Sequence, residues 1–81
     1  VHIFPNPLSD EINIGFTLHT EAELSISLTN AQGQLIRTIE KRHFGSGKHF
    51  IKQPIQEIAS GVYFLRITGG EINLTKKVLI Q

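Results

Sequence analysis

The sequence contains no cysteine, which excludes disulfide bonds and thiolate zinc sites. Asp10 is the only aspartate, and the Gly-x-Ser-x-Gly motif of serine hydrolases is absent. A domain of this kind must therefore be stabilised by apolar packing alone. We expect no enzymatic activity and no cofactor.

The sequence also lacks long apolar runs and a large excess of charge of one sign. No stretch approaches the roughly 20 apolar residues that a membrane-spanning helix needs. The net charge of the 81 residues is only +1, and the charged side chains are dispersed, which argues against a nucleic-acid partner. We expect one small domain without direct membrane insertion. Val1 is not an initiator methionine, so we expect a piece cut from a longer precursor.

The polar residues form no convincing catalytic or metal site. Residues 45–47 read Gly-Ser-Gly, and His49 follows, which superficially pairs a nucleophile with a base. That composition is typical of a hairpin turn, and no acid is placed to orient the imidazole. The histidines lack the spacing of metal ligands and are expected on the surface or in turns: His2, His19, His43 and His49. We expect no metal site.

Apolar and polar residues alternate in two successive segments, 11–18 and 22–29. A period of two predicts half-buried strands, and two such strands indicate an antiparallel sheet with one solvated face. Their apolar sets are expected in one core between two sheets: Ile12, Ile14, Phe16, Leu18, Ala22, Leu24, Ile26 and Leu28.

The densest apolar cluster is the stretch 61–67, which glycines bracket on both sides. Tyr63 and Leu65 fall on one face of the predicted strand, whereas Val62 and Phe64 fall on the other. Apolar residues on both faces predict a central strand that is covered on each side. Tyr63 lies just past a turn glycine, which matches a tyrosine corner, in which the hydroxyl bonds to backbone at the preceding turn.

The remaining segments supply further strands and turns. Gly33 is expected to adopt positive φ in a turn over 30–33. Segment 34–42 is irregular, which either a bulge or a two-sided edge explains. A short strand is expected over 49–52, followed by one helical turn or an extended crossing over 55–60, and a last strand over 72–80. About seven strands predict a small immunoglobulin-like antiparallel β-sandwich with Greek-key connections, and a closed barrel is the alternative.

An ordered set of segments covering essentially the whole chain resembles the type A C-terminal sorting domain of the bacterial type IX (Por) secretion system. The set comprises Phe4-Pro5-Asn6-Pro7, Leu8-Ser9-Asp10, Asn30-Ala31-Gln32-Gly33, Gly61-Val62-Tyr63-Phe64-Leu65-Arg66-Ile67 and Lys76-Lys77-Val78-Leu79-Ile80-Gln81. The Pro-Asn-Pro corner alone is weak evidence, but the ordered set is specific.

The resemblance implies that residues 1–81 are a single sorting domain that directs an N-terminal cargo of the same chain across the outer membrane. It implies recognition by the outer-membrane translocon and its shuttle or sortase components. Passage through the periplasm then ends at the cell surface or outside the cell, usually with cleavage by a sortase-like protease. By its motif, the resemblance implies a role in recognition for Gly61, Tyr63, Lys76, Lys77, Val78 and Leu79. It implies a structural role for Pro5, Asn6 and Pro7.

Two alternatives remain open at this point. A carbohydrate-binding module would need exposed aromatic rings, for which only Phe44 and Phe50 are available, and a structural spacer would need no site at all. Lys76 and Lys77 either steer the domain toward an acidic partner or protect an edge strand against aggregation.

Overall fold

The computed structural model describes residues 1–4, 10–70 and 72–81, which form seven β-strands. They are β1 (His2–Phe4), β2 (Glu11–Leu18), β3 (Ala22–Asn30), β4 (Leu35–Phe44), β5 (Gly47–Pro54), β6 (Gly61–Gly69) and β7 (Ile72–Ile80). The Pro5-Asn6-Pro7 motif lies outside the described residues. None of the described residues belongs to a helix that is long and apolar enough to cross a membrane.

The strands form two antiparallel sheets, with the orders β1-β2-β5 and β4-β3-β6-β7. β2 pairs with β5 and β3 pairs with β6, so strands three positions apart in the chain are neighbours in both sheets. This pairing is the Greek-key arrangement of immunoglobulin-like sandwiches. The predicted sandwich is confirmed, and the closed-barrel alternative is wrong because the strands divide between two sheets.

β2 and β3 lie in different sheets, although they are consecutive and show the same alternation. The chain passes from one sheet to the other between Leu18 and Ala22. An inside-outside pattern looks identical for two neighbours in one sheet and for two strands that face each other across a core. The inward residues of both strands are buried except Ala22, which is half-buried against the core, so the prediction of one core between two sheets is confirmed.

Phe44 is completely buried at the end of β4. Its ring meets the ring of Phe16 edge-on at 5.4 Å between centroids, and the Arg42 guanidinium lies 3.9 Å from its centroid on the ring face. The expectation that Phe44 could serve as an exposed carbohydrate platform is therefore wrong. Phe50 is exposed, as that expectation required.

β4 is an edge strand, and it also carries two irregularities in its pairing with β3. Ser27 pairs with Thr38 while Ile26 pairs with Glu40, which leaves Ile39 as an extra residue. A second shift lies between Leu28 and Thr29. Both proposed explanations of this segment, a bulge and an edge position, therefore apply together.

A single hydrogen-bonded turn follows β5, because the Ile58 amide donates to the Ile55 carbonyl at 3.0 Å. The extended crossing is thus wrong for this segment. Arg37 of β4 donates to the Pro54 carbonyl at 3.0 Å and forms an ion pair with Glu57. The hydrogen bond from Arg37 lowers the pKa of the Glu57 carboxyl below its usual value. We call this contact between Arg37 and Glu57 the clip. It connects β4, an edge strand of one sheet, to the segment that follows β5 of the other sheet.

Candidate recognition edge

The β6–β7 hairpin contains all six residues that the sequence motif marks for recognition. Its register runs through nine antiparallel pairs, from Gly61 with Ile80 to Gly69 with Ile72. β7 stands last in its sheet, and β6 is its only neighbour among the described strands. One row of β7 backbone donors and acceptors therefore faces away from the sheet, as an edge strand requires.

Two glycines shape the turn of this hairpin. Gly69 has a φ of 141° and Gly70 a φ of 53°, both in the region that favours glycine. A Cβ atom at Gly69 would overlap the backbone carbonyl oxygen of Glu23. The start of β3 is thus packed directly against the hairpin backbone, which fixes where β7 begins.

Tyr63 forms the predicted tyrosine corner. Its side chain is 8% exposed, and its hydroxyl donates a hydrogen bond of 2.6 Å to the Ala59 carbonyl. Val78 pairs with Tyr63 across the hairpin and is also buried. Gly61 begins β6 with a φ of 154°. These three motif residues build the hairpin and present little or no surface to a partner.

Lys76, Lys77 and Leu79 are the exposed members of the motif. Lys77 pairs with Phe64 and Leu79 pairs with Val62 on the outer face of the sheet. Lys76 has the inward parity opposite Leu65 but lies at the edge, where its side chain reaches solvent. Burial therefore divides the six motif residues into an internal half and an exposed half, and Lys76 is exposed in spite of its inward parity.

The outer face of β6 is not covered by another layer. Val62 is 38% exposed and Leu79 is 42% exposed, while Phe64 is half-buried. The expectation of a strand covered on both faces is wrong for Val62, because the second sheet packs only against the Tyr63 side. On this face, cross-strand pairs place four residues side by side from β4 to β7: Leu35, Thr29, Phe64 and Lys77.

We call Leu35, Val62, Phe64 and Leu79 the outer apolar patch. The sequence analysis did not single it out, although apolar residues at outward positions of β6 and β7 were an available signal. Basic side chains flank it, because Arg66 and Lys77 share its face. Within the described part of the chain, no carboxylate lies at ion-pair distance from Lys76 or Lys77. The edge of β7 therefore combines open backbone, apolar surface and positive charge.

His49 has a structural position in β5, just after the connection from β4. Its Nε2 atom donates to the Gly45 carbonyl at 2.6 Å, and its ring stacks on Phe16 at 5.3 Å between centroids. Phe44 meets the same ring edge-on. In the ranges that the structure describes, no three His, Asp or Glu side chains come together in a metal-binding group. The superficial pairing of a serine with His49 thus resolves into core packing at the start of β5. The hairpin expected at 45–47 is wrong, because β4 and β5 lie in different sheets and this segment connects the two.

A family model described as the secretion system C-terminal sorting domain matches residues 2–81. The match spans all seven strands, including the β6–β7 hairpin with its exposed edge. Comparisons with curated proteins and with solved structures give no match.

Proposed function

Because the chain belongs to the family of secretion system C-terminal sorting domains, it is a sorting signal of type IX secretion, and we propose that the secretion machinery reads it along the free edge of β7. Such a domain is attached to a cargo and marks it for export to the cell surface or the extracellular space. A sorting-domain family is not a catalytic one, and the role we propose is recognition alone.

The observation that carries this proposal is the edge of β7 with which no described strand pairs. An edge strand offers main-chain donors and acceptors to which a partner strand can add, and such β-augmentation gives affinity without requiring particular side chains. Side chains that flank the added strand then supply specificity. Lys76, Lys77 and Leu79 occupy those flanking positions.

Charge favours an acidic partner strand at this edge. Two adjacent ammonium groups accelerate encounter with an acidic surface, and they disfavour pairing of two copies of the same edge. The outer apolar patch extends the contact beyond the edge, since it places Val62 and Leu79 next to Lys77. The partner that fits is an outer-membrane translocon or shuttle component with an acidic, partly apolar groove.

The later steps of export and cleavage follow from the same proposal. The folded domain crosses the periplasm with its cargo and meets the translocon at the outer membrane. A sortase-like protease then removes the domain at the surface, and the cargo is anchored or released. The domain's own residues contribute the recognised edge and leave the cleavage chemistry to the protease.

The test is surface delivery of an inert exported reporter that carries this domain. Lys76→Ala with Lys77→Ala should reduce delivery by about tenfold, the equivalent of ~1.4 kcal/mol of recognition. The matched control is Lys41→Ala with Lys48→Ala, which removes the same charge from exposed lysines of β4 and β5. The control should be delivered normally, and both variants should resist periplasmic proteolysis.

Two results would contradict different parts of the proposal. Normal delivery of the Lys76 and Lys77 double variant removes the lysines from recognition and supports the view that they only prevent aggregation. Normal delivery of a reporter that lacks the whole domain would contradict the proposal that the secretion machinery recognises the edge of β7.

A further inference from the structure

β2 is much longer than the strand that covers its outer edge. All eight residues of β2 pair with β5, whereas β1 covers only Asn13, Ile14 and Gly15 on the other side. No described strand pairs with the β1 side of residues 16–18. Because backbone groups point alternately to the two sides of a strand, at least one amide of these three residues faces the open side.

A groove adjoins this open stretch, and residues of β5 as well as of β2 line it. One cavity of about 480 Å³ is lined by Val1, Phe16, Thr17 and Ile72, among others. A second cavity of about 210 Å³ continues from Thr17 and Ile72 to Leu18 and Gly70. The two share Thr17 and Ile72, so together they extend from Val1 along the free edge of β2.

We propose that the segment immediately upstream of Val1, which leads to the cargo, continues β1 through this groove and pairs with Thr17 and Leu18. The proposal rests on the sorting function only in that the function places a cargo before this domain. The register follows from the observed pairs, since Ile3 lies opposite Ile14 and His2 opposite Gly15. Continuing it places Val1 opposite Phe16 and the two preceding residues opposite Thr17 and Leu18.

The alternation also specifies the chemistry of the occupant. Ile14, Phe16 and Leu18 point into the core, so the second residue before Val1 points inward opposite Leu18. Its side chain enters the smaller cavity beside Ile72, which requires an apolar residue of moderate size. The residue directly before Val1 points to solvent and is unrestricted.

One consequence concerns cleavage of the cargo. A protease binds its substrate as an isolated extended segment, and a segment already paired in a sheet cannot enter its cleft. The two residues before Val1 are therefore protected, and cleavage takes place further upstream.

The experiment is amide hydrogen exchange on the full-length precursor. In one variant the two residues before Val1 are replaced by proline, which cannot donate to a ladder; in the matched control the fifth and sixth residues before Val1 are replaced instead. In the first variant, the amides of residues 16–18 that face the open side of β2 should exchange at least about tenfold faster, while the control and the core amides of Ile26 and Leu65 stay unchanged.

Equal exchange of residues 16–18 in the unaltered precursor and in the first variant would overturn the proposal. If the prolines disturb the core amides, two glycines at the same positions repeat the test, because glycine weakens strand pairing without removing a donor. The readout does not involve secretion, so its failure leaves the sorting function untouched.

Discussion

Tyr63 shows how one side chain can be marked by a recognition motif and still serve the fold. Its ring lies in the core, and only its hydroxyl reaches back to Ala59 at the turn before β6. The motif and the geometry agree because the hairpin that carries the exposed lysines depends on this anchor. The glycine turn, followed by a tyrosine at the start of an apolar strand, was sufficient to predict the corner.

Tyr63→Phe should therefore preserve packing and lose one hydrogen bond. The Ala59 carbonyl accepts from a largely buried hydroxyl, so the expected cost is about 1 kcal/mol in the free energy of unfolding. Urea denaturation of both proteins measures it. A midpoint equal to that of the unaltered domain would contradict the corner as a source of stability.

Gly69 is the residue at which backbone geometry is most restrictive. Gly69→Ala adds a methyl group that overlaps the Glu23 carbonyl, and it holds alanine at a φ of 141°. The expected cost is about 3 kcal/mol or more, since strain at such a φ alone costs on the order of 1 to 3 kcal/mol. Gly15→Ala is the control, because a Cβ there meets nothing within 4 Å and its change should stay within about 0.5 kcal/mol. Similar denaturation midpoints for the two variants would refute this reading of the hairpin.

β4 is the element that the sequence described least well. Alternation places Leu35, Arg37 and Ile39 on one face and Phe44 on the other, yet Ile39 and Phe44 are both buried. The extra residue at Ile39 reverses the parity of the strand between these two positions. A bulge depends on the partner strand as much as on the bulged one, so the irregular pattern indicated its presence without fixing its place.

The clip between Arg37 and Glu57 gives the β5–β6 connection a dependence on pH. The pKa of Glu57 is lowered in the folded domain, so its stabilising contribution is present above the usual carboxyl pKa of about 4.3 and is lost as the pH falls through the lowered value. Glu57→Gln should flatten the decrease in melting temperature as the pH falls below the usual carboxyl pKa.

The control for this clip is Glu23→Gln, which removes an exposed carboxylate with no arginine bonded to it. Because Glu57 is exposed, the effect should be small and should fade in about 1 M salt. Identical pH profiles for the Glu57 variant and the unaltered domain at low salt would show that the clip does not contribute.

The whole molecule depends on one core, since the sequence has no cysteine and no disulfide can reinforce the two sheets. Leu65 is 1% exposed at its centre, and Leu65→Ala should cost about 2 to 5 kcal/mol. That is a large share of the ~4 to 12 kcal/mol expected for a domain of this size. Leu35→Ala removes the same atoms from a side chain that is 61% exposed and should change stability little. A melting temperature unchanged by Leu65→Ala would contradict the assignment of the core.

The fold followed from the sequence because alternation, turn glycines and the tyrosine corner all specify local geometry. The division of strands between sheets did not, since β2 and β3 show the same pattern whether they pair or face each other. The candidate site was predicted in part for a related reason. Motif reasoning proposed Lys77 and Leu79, which stay predictions, but Val62 and Phe64 became candidates only because the structure shows their side chains partly exposed on the same face.

β7 links two opposite poles of the molecule. It begins at Ile72, which shares a cavity with Val1, and ends at Ile80 beside Gly61. Nine residues of strand span about 30 Å, and the longest dimension of the domain is 35 Å. On the proposed function the cargo is attached on the Val1 side, near one pole, while Leu79 of the recognised edge lies near the other. A receptor that binds β7 near Leu79, as proposed, does not contact what is attached near Val1, so the same signal can serve cargo proteins of different sizes.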